Sequence, residues 1–139
     1  MNDLFIPKND LTDEIQELVE ICQSFEDYYE TEFYPPAEDE EIDKWQQLHE
    51  IKLPQSFKDW LRFSNGSVIC DTAARFYDLG TIAALSDCPD DCIVIGEFSQ
   101  DGDRLSLCLS TGIYTLNENG KIREFDSFKK VLRKLIDIM

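Results

Sequence analysis

The chain lacks long apolar runs and has no recognisable export signal. Nothing in its 139 residues approaches the roughly 18 consecutive apolar positions of a transmembrane helix. The first ten residues, MNDLFIPKND, contain neither a basic segment nor an apolar run, so no secretory signal is predicted. These absences predict a cytoplasmic protein without a membrane anchor, whose five cysteines remain reduced thiols. Cys22 and Cys108, which lie in apolar periodic patterns, are expected to pack as small hydrophobic residues.

The sequence is also poor in catalytic groups. Histidine occurs once, at His49, away from any serine or cysteine motif, and is expected at the surface or at the core boundary. There is no G-x-S-x-G motif, no Walker loop and no G-x-G-x-x-G motif. Because no nucleophile–base pair is recognisable, we predict that the protein is not an enzyme and needs no cofactor.

Two short motifs resemble metal sites and are interpreted otherwise. Cys88 and Cys92 flank Pro-Asp-Asp, but structural zinc requires four ligands and no second thiol pair is present. A reversible disulfide between these two cysteines is the alternative, and no metal is predicted. Asp101-Gly102-Asp103 resembles the start of a calcium loop, but Leu105 occupies its fifth position and Gly112 its twelfth. A hairpin turn is the better interpretation.

Positive charge is scarce, and most of the imbalance lies in the first third. The chain has 29 acidic and 13 basic residues, and residues 1–50 contain 16 of the acids with only two bases. Direct binding to nucleic acid is therefore disfavoured, because phosphate contacts need a basic surface. A basic protein partner fits this charge, and a solvated face that maintains solubility is the alternative.

The first half of the chain is predicted to be helical. Residues 11–29 have apolar side chains at helical spacing behind Asp10, a candidate N-cap. A second helix is predicted over residues 38–50, with Ile42, Trp45 and Leu48 on its buried side. A short third helix follows in LPQSFKDWLRFSNGS, residues 53–67. Its buried face is expected to consist of Phe57, Trp60 and Leu61, and Asn65-Gly66 to end it.

The second half changes to the periodicity of strands. Residues 76–85 and 92–96 are mostly apolar and are interpreted as strands, and Leu105, Leu107 and Leu109 alternate with polar residues. Asn119-Gly120 predicts a hairpin. A last helix, capped by Asp126, has an apolar face and several basic residues. Its apolar face comprises Phe128, Val131, Leu132, Leu135 and Ile136. The fold class predicted is α+β, with N-terminal helices, a central antiparallel meander and a C-terminal helix packed on the sheet beside the helix from residue 11.

Residues 33–67, FYPPAEDEEIDKWQQLHEIKLPQSFKDWLRFSNGS, resemble the N-terminal signature of the SUKH superfamily. The matching elements are an aliphatic–aromatic helix before Leu53-Pro54, an aromatic residue and a leucine after it, and Asn65-Gly66. Further elements follow in family order. These are Phe76 to Gly80, Ile95-Gly96, Gly102-Asp103, Gly112 to Tyr114 and the helix from Ser127-Phe128.

The resemblance implies one SUKH-like domain over residues 1–139, with a family core in 33–139 and an additional helix in 1–32. The superfamily includes a yeast cell-wall assembly regulator and many bacterial immunity proteins. It implies a cytosolic immunity protein that neutralises a toxin delivered by another cell, with a nuclease as the expected type of toxin. The alternative that it implies is a non-enzymatic regulatory or scaffolding module that binds a cellular protein.

The acidic start of the second helix is the candidate surface for a basic partner. Its apolar side is used by Ile42 and Trp45, so its carboxylates are expected to point to water. Each acid at the start of the helix gains only about 0.3–1 kcal/mol of stability from the helix dipole. Stability alone therefore gives little reason for so many carboxylates there. Two acids of the hairpin turn are expected to extend this surface if the fold brings them near. The candidate residues are Glu38, Asp39, Glu40, Glu41, Asp43, Asp101 and Asp103.

Overall fold

The computed structural model describes residues 5–85, 91–99 and 102–139, with only the backbone given for 83–85. Five helices and seven strands follow one another along these residues. The helices are α1 (Thr12–Ser24), α2 (Asp39–His49), α3 (Gln55–Leu61), α4 (Leu79–Leu85) and α5 (Phe128–Ile138). The strands are β1 (Glu32–Phe33), β2 (Ser67–Ile69), β3 (Ala74–Phe76), β4 (Cys92–Phe98), β5 (Asp103–Cys108), β6 (Tyr114–Glu118) and β7 (Lys121–Phe125). In this part of the chain, no helix is both long and apolar enough to cross a membrane.

The seven strands form a single sheet in which spatial order equals chain order, from β1 to β7. Every neighbouring pair is antiparallel, as expected where short turns join consecutive strands. The predicted Asn119-Gly120 hairpin is confirmed between β6 and β7, with φ angles of 54° and 87°. The predicted α+β architecture, with an antiparallel meander and a closing helix on the sheet, is therefore correct.

Helix α5 lies at the centre of the hydrophobic core. Its predicted apolar face is buried along the whole helix. The Phe128 ring contacts aromatic rings from α3 and from two strands, with centroid distances of 5.5 Å to Trp60, 5.5 Å to Phe76 and 5.6 Å to Tyr114. The short helix α3 supplies Phe57, Trp60 and Leu61 to the same core, as its spacing predicts. Its role is therefore to close the helical layer against the sheet.

Helix α1 packs beside α5, as predicted, and the structure shows both apolar and charged contacts between them. Ile15 and Leu18 are fully buried in the shared core. At the edge of this contact, Arg133 lies 3.2 Å from the nearly buried Glu14 carboxylate and 2.9 Å from that of Glu17. The basic residues of α5 are thus partly neutralised by acids of α1.

The strand predicted over residues 76–85 is wrong for most of its length. Strand β3 ends at Phe76, and α4 begins at Leu79. Between them, the Asp78 carboxylate accepts a hydrogen bond from the Thr81 hydroxyl, and the Ile82 N–H donates to the Asp78 carbonyl oxygen at 3.0 Å. A short apolar run fits either a strand or a buried helix, and these turn contacts favour the helix.

Leu48 is expected on the buried side of α2, but it is 77% exposed. With 100° per residue, His49 falls between Ile42 and Trp45 on the helical circle, whereas Leu48 falls well outside that arc. The His49 ring accordingly packs on the Trp45 indole, with centroids 4.8 Å apart. His49 lies at the core boundary, in agreement with the prediction for it.

The ends of two helices differ from their predictions. Helix α1 ends at Ser24, five residues before the predicted boundary, and its first turn is supported by the Asn9 side chain, which accepts from the Leu11 N–H at 2.8 Å. Asp10 is not the N-cap. Helix α5 is capped by Ser127 rather than by Asp126, since the Ser127 hydroxyl accepts from the Lys130 N–H at 3.3 Å.

Leu105 and Leu107 point into the core, and Leu109 packs partly against it, so the alternation predicted for β5 is confirmed. Cys22 is buried as expected. Cys108 is not, because neighbouring residues of a strand point to opposite faces and Leu107 takes the core face. The prediction that Cys108 packs as a small hydrophobic residue is therefore wrong.

Candidate functional site

The acidic start of α2 lies on the surface. The side chains of Ile42 and Trp45 attach the helix to the core, and the Trp45 indole N–H donates to the Leu79 carbonyl oxygen at 2.9 Å. This orientation directs the opposite side of the helix to solvent. We call the five exposed carboxylates there the α2 acidic patch; it consists of Glu38, Asp39, Glu40, Glu41 and Asp43.

Among the described residues, two cations form ion pairs with the α2 acidic patch. Arg62 pairs with Asp39 and also contacts the buried Asp59 carboxylate at 3.1 Å. Lys44 pairs with Glu40 at 3.1 Å, one helical turn apart, and both of these side chains are largely exposed. Lys52 and Lys58 line a surface hollow together with Asp43, without an ion pair to it. The five carboxylates still outnumber these four cations, so the patch keeps a negative potential.

The remaining carboxylates of the patch have few contacts. Glu41 accepts a long hydrogen bond, 3.4 Å, from the Asn65 side-chain amide. Across residues 5–85, 91–99 and 102–139, the side chains of Glu38 and Asp43 have no ion pair or hydrogen bond. Glu38, Glu41 and Asp43 are thus the members of the patch most available to a cationic partner.

A cleft of about 530 Å³ lies next to the patch, at the end of the β2–β3 hairpin and the start of α4. Its wall includes an exposed ring, Tyr34, and charged groups of both signs, Arg75 and Asp78. Ser67 also lines the cleft, and its hydroxyl is buried without a hydrogen-bond partner in the described part of the chain. The cleft therefore combines one exposed aromatic surface with polar groups that can bind a peptide or a side chain.

Tyr77 also lines this cleft, but its hydroxyl is engaged in a hydrogen bond with the Glu97 carboxylate. Partial burial, and next the negative charge of Glu97, raise the pKa of the Tyr77 hydroxyl above its usual value. The phenol therefore stays protonated throughout the physiological pH range.

Asn65-Gly66 connects the cleft to the α2 acidic patch. The Asn65 side chain donates to Glu41 and accepts from the Leu79 N–H at 3.0 Å, so it bridges the starts of α2 and α4. Gly66 has a φ angle of +103°, and a Cβ atom there would lie 3.2 Å from the Asp78 Cβ. A glycine is needed both for this backbone conformation and for the close approach. Sequence reasoning identified this pair only as a helix stop and missed the cleft, since its walls come from separate segments.

Asp103 does not join the α2 acidic patch. In the sheet, Asp103 pairs with Phe98, which pairs with Ala74 near the β2–β3 turn. Asn65 and the patch lie beyond the opposite end of that hairpin. The Asp103 carboxylate instead contacts the Ser99 hydroxyl at 3.5 Å. Asp101 lies outside the described residues, as does Cys88 of the considered metal motif.

The described residues contain no group of three or more histidine, cysteine or acidic side chains arranged to hold a metal ion. The α2 acidic patch and the cleft present negative charge, an exposed aromatic ring and polar groups, which are common in recognition surfaces.

Comparison with known proteins places this site within a recognised domain. The family model described as the SMI1/KNR4 family (SUKH-1) matches residues 36–135, which include the α2 acidic patch, most of the cleft and α5 as far as Leu135. Helix α1 and Tyr34 lie outside the match. No curated protein matches the chain. SUKH domains are known in immunity proteins and related proteins, and they are generally non-catalytic. Because the match covers well over half of its residues, the chain belongs to the SMI1/KNR4 family (SUKH-1).

Proposed function

We propose that this protein is a cytosolic immunity protein that binds and neutralises a bacterial toxin, of the nuclease type, through an acidic protein–protein interface. The observation that carries the proposal is the α2 acidic patch, whose carboxylates outnumber the nearby cations and point to solvent. Membership of a family with known immunity proteins supports the same role.

The charge of the patch suits a nuclease for a physical reason. A nuclease binds phosphates with lysine and arginine side chains, so its active cleft is positively charged. Opposite charges on two proteins raise their association rate, and fast association is useful to an inhibitor that must act before its toxin. The contacts of the patch indicate that Glu38, Glu41 and Asp43 would meet the toxin first, since Arg62 already engages Asp39.

The adjacent cleft is proposed to hold the toxin once charge has brought the two proteins together. Charge steers the encounter, whereas affinity depends on a few buried anchors, among which tyrosine is frequent. Tyr34 is 44% exposed and lines the cleft. We infer that the patch attracts the toxin and that the cleft with Tyr34 holds it. Neutralisation then results from covering the toxin's active site and requires no catalysis by this chain.

The test first asks whether a large toxin with a variable C-terminal domain is encoded beside this protein's gene. If it is, that C-terminal domain is used both as a purified domain and expressed inside cells, where it should inhibit growth. The variant Glu38→Lys/Glu41→Lys/Asp43→Lys should associate at least about tenfold more slowly in low salt and should lose protection of the cells. Raising the salt concentration should slow the wild type toward the rate of the variant.

A matched control carries the same charge change elsewhere, at three exposed acids, as Glu20→Lys/Glu124→Lys/Asp137→Lys. It should associate at nearly the wild-type rate and should still protect. Equal slowing in both variants would mean that net charge, and not the patch, matters. Full protection by the patch variant would refute the acidic interface. No binding of the toxin domain even by the wild type would favour the regulatory or scaffolding alternative.

A further inference from the structure

Cys92 and Cys108 lie directly opposite each other on neighbouring strands. They are Cα partners in the antiparallel ladder between β4 and β5. The next pair in this register is Asp91 with Leu109, and the Leu109 N–H donates to the Asp91 carbonyl oxygen at 2.7 Å. Because hydrogen-bonded and non-hydrogen-bonded pairs alternate along such a ladder, Cys92 and Cys108 occupy a non-hydrogen-bonded pair.

This position brings the two thiols within bonding reach. Residues of a non-hydrogen-bonded pair have Cα atoms about 4.5 Å apart and project their side chains from the same face of the sheet. A disulfide accepts Cα separations of about 4.4–6.8 Å, so the backbone need not move far. Both thiols are also partly exposed, on the side of the sheet away from Leu107. A small oxidant can therefore reach them.

The surroundings of Cys108 favour its thiolate. Hydrogen bonds from the side chains of Thr111 and then Ser110 lower its pKa to about 7, and the Cys92 thiol contributes in the same direction. The Ser110 hydroxyl lies 3.6 Å from the Cys108 sulfur. Near neutral pH, a large fraction of Cys108 is in the nucleophilic form.

We propose that Cys92 and Cys108 are a redox modification site, at which hydrogen peroxide converts the two thiols into a reversible cross-strand disulfide. In the first step, the Cys108 thiolate attacks one peroxide oxygen, the O–O bond breaks, and hydroxide leaves and is protonated to water. Cys108 becomes a sulfenic acid. In the second step, the Cys92 sulfur attacks the Cys108 sulfur, the S–O bond breaks, and the oxygen leaves as water with the Cys92 proton. Two thiols and one peroxide thus give one disulfide and two waters, and a dithiol reductant restores both thiols.

A second thiol pair in the same molecule provides an internal control. Cys22 on α1 and Cys70 next to β2 are neighbours, and both are buried. Burial, the largest influence, raises the pKa of the Cys22 thiol to about 12. This pair should stay reduced under conditions that oxidise Cys92 and Cys108, since its thiolate population is negligible and an oxidant has little access.

The experiment treats the full chain carrying Cys88→Ser with hydrogen peroxide at neutral pH, so that the nearby cysteine cannot take part. The intact mass should fall by two hydrogen atoms, independently of protein concentration. Non-reducing tryptic mapping should join the peptide of residues 76–104 to that of residues 105–121. A dithiol should reverse both changes. The melting temperature of the oxidised form should exceed that of the reduced form by about 5–10 °C, because the bond restricts the unfolded chain.

Single replacements separate the role of Cys108, which attacks the peroxide, from that of Cys92, which attacks the resulting sulfenic acid. With Cys92→Ser added, Cys108 should stop at the sulfenic acid, which gains one oxygen atom and is trapped by dimedone. With Cys108→Ser added, Cys92 should react far more slowly. In the reduced protein, the rate at which iodoacetamide alkylates Cys108 should rise with pH, with a midpoint near pH 7. A cross-link that uses Cys22 or Cys70, intermolecular products only, or a midpoint above about pH 8.5 would overturn the proposal.

Discussion

Helices α2 and α5 are both eleven residues long, but they use their side chains in opposite ways. Helix α5 buries five apolar side chains and pairs Arg133 with acids of α1. Helix α2 buries only Ile42 and Trp45, and most of its charges face solvent. The difference indicates that α5 mainly stabilises the fold, whereas α2 mainly presents a charged surface to solvent. Four substitutions or pH changes test this comparison, from the largest expected effect to the smallest.

Replacing Phe128 with alanine should have the largest effect. The ring is fully buried and contacts four other aromatic rings, so its loss removes burial and leaves a cavity. We expect the free energy of unfolding to fall by about 3–5 kcal/mol. Urea denaturation measures this. The control on α2 is Leu48→Ala, at a largely exposed site, which should change stability by less than about 0.5 kcal/mol. Similar losses of stability in Phe128→Ala and Leu48→Ala would show that α5 and α2 contribute equally to the fold, contrary to this comparison.

Alkaline pH should weaken the α5 side of the fold through Tyr114. Burial raises the pKa of this phenol to about 12, and the hydrogen bond with Ser56 opposes burial in part. The unfolded chain ionises this tyrosine near pH 10. Folding therefore favours the protonated form. That stabilisation, about 2–3 kcal/mol, is complete below about pH 10 and is lost as pH rises through about 12.

The measurement for Tyr114 is the stability of the wild type and of Tyr114→Phe at several pH values between about 9 and 12. Both proteins share the titration of lysines and of other tyrosines, so only the difference between them reports on Tyr114. The difference should shift in favour of the phenylalanine variant as pH rises. A constant difference would show that Tyr114 does not resist ionisation.

The ion pairs between α1 and α5 should have a smaller effect. Glu14 is 9% exposed, and Arg133 lies 3.2 Å from its carboxylate. Glu14→Gln removes the charge of this pair and should destabilise the protein by about 1 kcal/mol. The loss is no larger because solvent partly screens Arg133. Glu17→Gln changes the more exposed partner of the same arginine and should cost less. Thermal denaturation of both variants shows which one loses more stability. A larger loss for Glu17→Gln would contradict the expectation that the more buried ion pair contributes more.

The smallest effect is expected on α2 itself. Glu40 and Lys44 form an exposed pair, with 78% and 74% of their side chains accessible. Glu40→Gln should change stability by only a few tenths of a kcal/mol. Denaturation midpoints of wild type and variant should nearly coincide. A loss above about 1 kcal/mol would mean that the α2 acidic patch contributes to the fold and is not mainly a binding surface.

The sequence predicted the elements with regular spacing and missed those that depend on distant partners. Helix α5 and the β6–β7 hairpin were predictable, because their periodicity and turn residues are strong local signals. The start of α4 was not, since its apolar run fits a strand equally well and is decided by Asp78 and Thr81.

For the site, the sequence predicted the exposed start of α2 but neither the cleft nor the position of Asp103. The walls of the cleft come from segments around Tyr34, Ser67 and Tyr77, which only the sheet brings together. The pairing of Cys92 with Cys108 likewise depends on strand register, which the sequence alone does not reveal. The sequence suggested Cys88 as the partner only because it is near in the chain.

The order of strands in the sheet has a consequence for how the chain folds. From β2 to β7, each strand pairs with the strand that follows it, so these contacts can form early and locally. The contact of α1 with α5 is the opposite case, since Glu14 and Arg133 are 119 positions apart. During synthesis, the part of the apolar side of α1 that packs on α5 remains uncovered until α5 has emerged from the ribosome. The long-range contact then completes the core last. We expect mutations there to speed unfolding more than they slow folding, as measured by the two limbs of a chevron plot.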